Sequence, residues 1–172
     1  MYNKKVMDFF KKHNLYDEKM FNYLYDHTDF IDYDDPDMRI FIGSAIMYDK
    51  KHKKIIRFRM CIPYVTNDKM ALIAIHEIVH GIVYYKHLNK KFEVDKKIEA
   101  LPLLYEKLFV TENPTPELIN FANYLDSKIS VENNDSYSYG MLVREQLFNS
   151  YDYNFDKMSK LNDKIGRKEK NR

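Results

Sequence analysis

The sequence predicts an α+β fold: a small antiparallel β-hairpin packed on a mostly helical single domain spanning residues 1–172. Three observations predict it. Two strand-like runs, 38–48 and 55–64, flank the polar connection Asp49-Lys50-Lys51-His52-Lys53-Lys54. Apolar residues recur at helical spacing through most of the remaining chain. The composition, 45% apolar and 31% charged, suits a globular chain long enough to bury a core.

Residues 2–12 and 16–27 carry helical spacing, with Val6, Phe9 and Phe10, then Met20, Tyr23 and Leu24 on one side. The acidic run 29–37, with Pro36, reads as a turn region. The two strands form the hairpin, the second closing at Pro63. In it Arg57 and Arg59 alternate with Phe58 and Met60, so one face is apolar and the other wet. Thr66-Asn67-Asp68 supplies capping chemistry for a buried helix over 69–86. A helical segment at 94–110 is interrupted by Pro102. Thr115-Pro116-Glu117 starts a helix to about residue 130, with proline at its first position. Polar residues 132–136 break it, a further helix covers 137–151, and a weaker one covers 155–165.

Charge and hydropathy argue against several function classes. With 28 basic and 26 acidic residues the net charge is +2, so no charge field points to nucleic acid. The longest apolar runs fall far short of a membrane span, and polar Asn3, Lys4 and Lys5 leave no leader-like apolar core after Met1. A cytoplasmic protein is expected, without membrane or nucleic-acid partners. Cys61 is the one cysteine; it lies in a strand and reads as an inert structural thiol.

The chemistry concentrates in Ile75-His76-Glu77-Ile78-Val79-His80-Gly81. On a helix the two histidines lie one turn apart on one face, where both imidazoles can bind a single Zn²⁺. Glu77 can reach a water at the open coordination position and act as its general base. Two histidines and a glutamate inside so apolar a helix need partners, because burying polar groups unpaired is costly. A third ligand must come from elsewhere. Glu93, Asp95, Glu99, Glu106 and Glu112 are the downstream candidates. Glu99 is favoured: it leaves room for a turn at Leu88-Asn89-Lys90-Lys91, and Ile98, Ala100 and Leu101 flank it. Glu106, two turns further along the same face, could orient a histidine. Tyr139 and Tyr137 open a later helix and could donate to an oxyanion. His87 reads as a helix-terminal residue, and His13, His27 and His52 as solvent-facing.

These residues carry a resemblance. His76-Glu77-Ile78-Val79-His80-Gly81, then Glu99 to Glu106 with Pro102, then Tyr137-Ser138-Tyr139 resemble a shortened catalytic core of the thimet oligopeptidase and oligopeptidase F family. The likeness covers roughly residues 55–152. It implies a zincin-like fold, Zn²⁺ held by His76, His80 and Glu99, Glu77 as general base, and Tyr139 and Tyr137 as substrate or oxyanion contacts. A peptide or protein is the implied substrate. The pattern also departs from the family's: Val79 stands where a glycine is usual, and the stretch from His80 to Glu99 is shorter. The large helical part that encloses the family's channel has no room here.

Two other readings compete. One is a small regulatory zinc protease of the repressor-cleaving type. The other is a degenerate metal-binding interaction domain. If the chain is a peptidase, the strand 55–64, so close before the zinc helix, should be a sheet edge bordering the cleft, ready to accept an extended peptide.

Overall fold

The computed structural model describes residues 1–94, 96–131, 135–150 and 154–170. The chain divides into two compact units, Met1–Val94 and Asp95–Arg172.

The first unit opens with helices α1 (Lys4–Lys12) and α2 (Glu18–Asp26). Each starts where a side-chain oxygen takes up an unpaired helix N–H: Asn3 accepts from Lys5, Asp17 from Met20. Strand β1 (Thr28–Ile31) follows, then a single turn of helix α3 (Pro36–Arg39), β2 (Gly43–Asp49), β3 (Lys54–Pro63) and α4 (Asp68–Lys86). The strands make one sheet in the order β1-β3-β2. β2 and β3 form the predicted antiparallel hairpin, and β1 adds to β3 in parallel. The hairpin turn is closed by Asp49, whose carboxylate accepts from the Lys51 and His52 amides, and Lys53 takes a left-handed φ of 52°.

Three expectations change here. The acidic run begins inside a strand, β1: Asp29, Phe30 and Ile31 pair with Cys61, Ile62 and Pro63 of β3, and the Asp29 carboxylate is met by Arg59. Residues 38–42 are not strand: Pro36 starts a helical turn behind the Asp35 cap, and Gly43, at φ 154°, begins β2. Third, β3 is the central strand, bonded on both sides, so it offers no edge to a peptide; the edges are β1 and β2. The short link from Pro63 to Asp68 does bring β3 against α4, but in the middle of the sheet.

The faces of β3 behave as its alternation predicts. Phe58, Met60 and Ile62 are buried, while Arg57 and Arg59 are exposed. A bulge between Met47 and Tyr48 leaves Ile56 as an extra residue, so Ile56 and Arg57 face out in succession. The first unit's core joins Phe10, Phe21 and Leu24 to Phe58, Met60 and Ile62 of the sheet, with Ile75 and Ile78 of α4.

The second unit is helical. A 3-10 turn (Lys96–Glu99) leads into α5 (Ala100–Glu112), followed by α6 (Pro116–Val131), α7 (Asp135–Phe148) and α8 (Phe155–Lys170). Pro102 does not interrupt a helix. It sits in the first turn of α5, where a missing N–H costs nothing. Leu103, Leu104, Tyr105 and Leu108 of α5 form the core with Val143 and Leu147 of α7 and with Phe155 and Met158 of α8. Among the described residues no helix is long and apolar enough to cross a membrane.

Candidate metal centre

Helix α4 is apolar around almost its whole circumference, so the polar residues in its middle, His76, Glu77 and His80, are buried with the rest. Asn67 caps it, accepting from the Met70 amide at 3.0 Å. His76, Glu77 and His80 are 5%, 7% and 4% exposed. The imidazoles of His76 and His80 stand one turn apart, with ring centroids 4.9 Å from each other at 65°. A ring nitrogen of each lies within 4.8 Å of one on the other, near enough for small side-chain rotations to bring both onto one ion. Tyr84, a further turn along, stacks on the His80 ring at 5.9 Å and 15° and is itself packed against Phe58 of β3.

Glu77 is the buried charge of this helix. One carboxylate oxygen accepts a hydrogen bond from the Ser44 hydroxyl at 2.7 Å, and the other lies 4.0 Å from Nε2 of His76. The sheet register explains the first contact. Ser44 pairs with Met60, whose side chain is buried toward α4, so Ser44 faces α4 as well. The helix comes close because residue 81 is glycine. A Cβ there would overlap Sδ of Met60 and lie 3.1 Å from Cδ2 of Leu24.

In the second unit Glu99 closes the 3-10 turn and is half-buried. It occupies the N-cap position of α5, yet its side chain makes no cap hydrogen bond. Helix α7 packs directly on it: a Cβ on Gly140 would lie 3.0 Å from Cβ and 3.1 Å from the carbonyl carbon of Glu99. Tyr139, half-buried, precedes that glycine. Glu106 is half-buried on α5.

Among the described residues, His76, His80 and Glu99 form the group of potential ligands that could hold a metal ion, two buried and one half-buried. The donor set fits zinc: two imidazoles and a carboxylate, with room in a four-coordinate shell for water. Of the other acids, Glu93 is exposed and pairs with Lys53 at 3.7 Å. Asp95 lies outside the described residues, as does the side chain of Tyr137, whose backbone belongs to α7. His87 caps the end of α4, as its position predicts. His52 is exposed, but His13 and His27 are half-buried, His27 stacked on Tyr23 at 4.0 Å. Cys61 is half-buried in β3, and burial, with the negative charges of Asp29 and Glu77, pushes its thiol pKa up. That agrees with an inert thiol.

The sequence did not reveal the contacts of Ser44, Tyr84 and Gly140, nor the close packing at Gly81, which stood there only as the residue after His80. Tyr84 was within reach, since it continues the row of every fourth residue from His76 through His80. Ser44 was not, because its partner is 33 positions away and depends on strand register. Compared with protein-family models, with curated proteins and with solved structures, the chain matches none.

Proposed function

We propose that this chain is a zinc-dependent peptidase with the catalytic plan of the thimet oligopeptidase and oligopeptidase F family. The observation that carries the reading is the buried trio on α4: two imidazoles one turn apart, with a carboxylate beside them held by Ser44. A helix that only stored metal would not need a buried, hydrogen-bonded glutamate next to its ligands.

In this reading His76, His80 and Glu99 hold the ion. Bound zinc would lower the pKa of a coordinated water and polarise the scissile carbonyl. Glu77 takes the proton of the attacking water and passes it to the departing amine. The Ser44 hydroxyl anchors one oxygen of that carboxylate and leaves the other for the proton. Tyr139 and Tyr137 are assigned as donors to the oxygen of the carbonyl under attack, and Glu106 as a support for the ligands. The substrate is a peptide or protein in the cytoplasm. Since β3 is paired on both sides, the strand that can take an extended peptide is β2, the edge that carries Ser44.

Zinc analysis and peptide cleavage test this together. Wild-type protein should hold about one zinc per chain, the stoichiometry of a single site. His76→Ala and His80→Ala should lose it. Glu77→Gln should keep zinc while hydrolysis falls by roughly 10²- to 10⁴-fold. Full zinc in both histidine variants, or wild-type turnover in Glu77→Gln, refutes the proposal. Stoichiometric zinc with no hydrolysis of any peptide would select the metal-binding interaction domain instead.

A further inference from the structure

A groove of about 710 Å³ lies on the sheet where β2 begins. Register places it on the face turned away from α4. Ala45 pairs with Arg59 and Gly43 with Cys61, so these residues point opposite to Ser44 and Met60. The outer wall is the segment between α3 and β2, and it is apolar and uncovered: Ile40 is 80% and Phe41 59% exposed. Large apolar side chains this open, side by side and over a concavity, are a usual mark of a binding surface. The volume falls inside the range of roughly 300–1,000 Å³ typical of ligand sites.

The charge of the lining narrows the ligand. Asp29 and Arg59 are its charged residues, and they satisfy each other. Arg59 donates to both carboxylate oxygens of Asp29, at 2.9 and 2.6 Å. The guanidinium also holds the Asp29 carboxyl below its ordinary pKa, so the pair stays intact and the groove presents no net charge. A charged guest would find no counter-ion, and a neutral apolar guest would cover Ile40 and Phe41.

The groove shares a strand with the candidate site. Gly43, Ser44 and Ala45 wall it, and Ser44 holds Glu77 from the other face of the same strand. A peptide paired with the β2 edge sends alternate side chains to the two faces. We infer that this groove is a specificity pocket for a large apolar side chain of the substrate, which makes the substrate class extended peptides with a Leu-, Met- or Phe-like residue at one fixed position. The inference rests on the peptidase reading.

The test uses zinc-loaded full-length chain and a set of fluorescent peptides in which each position in turn is Phe, Leu, Ala, Asp or Lys. Binding to the Glu77→Gln variant is read by anisotropy, and cleavage is read with wild type. At one position Phe or Leu should bind at least about tenfold tighter than Ala, Asp or Lys, the gain expected from burying a large apolar side chain. Ala45→Phe, which fills the groove, and Phe41→Ser, which removes its wall, should each shrink that ratio severalfold in variants shown to be folded by their melting transitions. No preferred position, or a ratio that survives both substitutions, overturns the inference. A concentration-dependent dimer that Ile40→Asp abolishes without touching the peptide preference assigns the surface to self-association and also overturns it. The two readings fail separately. Apolar-selective binding without cleavage defeats the peptidase and keeps the pocket. Cleavage without apolar selectivity defeats the pocket and keeps the peptidase.

Discussion

Ser44 shows what one hydroxyl can do for a buried charge. A carboxylate as enclosed as Glu77 needs a donor, and a hydrogen bond to a charged group is worth roughly 1.5–3 kcal/mol. In Ser44→Ala the carboxylate loses that anchor and can swing from its place beside His76. On the proposed peptidase reading, turnover should fall about ten- to a hundredfold, since small misplacements of a general base are costly. Zinc content and KM should stay near wild type, and Ser44→Thr should restore most of the loss by keeping the hydroxyl. Steady-state kinetics with metal analysis on the three proteins checks this. An equal loss in the threonine variant would mean that Ser44 matters only for packing. At this scale the sequence was informative about His76, Glu77 and His80, because their spacing is itself the geometry of one helix face. It was silent about Ser44, whose role comes from strands pairing across the chain.

Among the elements, α4 and β3 depend on close approach. The glycine after His80 lets the helix backbone settle on Met60. Alanine there would gain roughly 1 kcal/mol of helix propensity. It would also push a methyl group into the Met60 thioether and up to Leu24, and overpacking of this kind costs typically 1–3 kcal/mol. The second effect outweighs the first, so Gly81→Ala should lower stability by about 1 kcal/mol in denaturant unfolding. Met60→Ala should offset part of the loss when combined with it, because the two side chains compete for one space. Simple additivity in the double variant would contradict the packing argument. The sequence foretold α4 to within a residue at its start, since Asn67 and the apolar run agree on one helix. It misjudged α5, where Pro102 looked like a break because the 3-10 turn before it, and so the true first turn, could not be seen in the spacing.

For the whole molecule, the α+β class was legible because hairpin and helical periodicities are local. The sheet was only half legible. β1 has four residues, one of them charged, and sits beside an acidic run; its pairing is decided by β3, far along the chain. Parallel neighbours leave no turn between them to read, so the mixed sheet and the central place of β3 were hidden. That same topology sets an order of events in time. Asp49 and Lys54 of the hairpin are 5 residues apart, whereas Thr28 and Met60 across β1 and β3 are 32 apart. Closing the longer loop costs more chain entropy before any contact repays it. The hairpin should therefore nucleate and β1 should dock late, after the acidic run and the apolar 38–42 segment have been drawn over the sheet. Conservative truncations should then divide by kinetics. Ile46→Val in β2 should slow refolding, with φ above about 0.5, whereas Ile31→Val in β1 should mainly speed unfolding, with φ near zero. Stopped-flow rates for the two variants would show it, and the opposite ranking would mean that the long-range parallel pair forms first. Until β1 docks, one side of β3 has unpaired N–H and C=O groups, so the slowest strand to arrive is also the one that closes the chain's aggregation-prone edge.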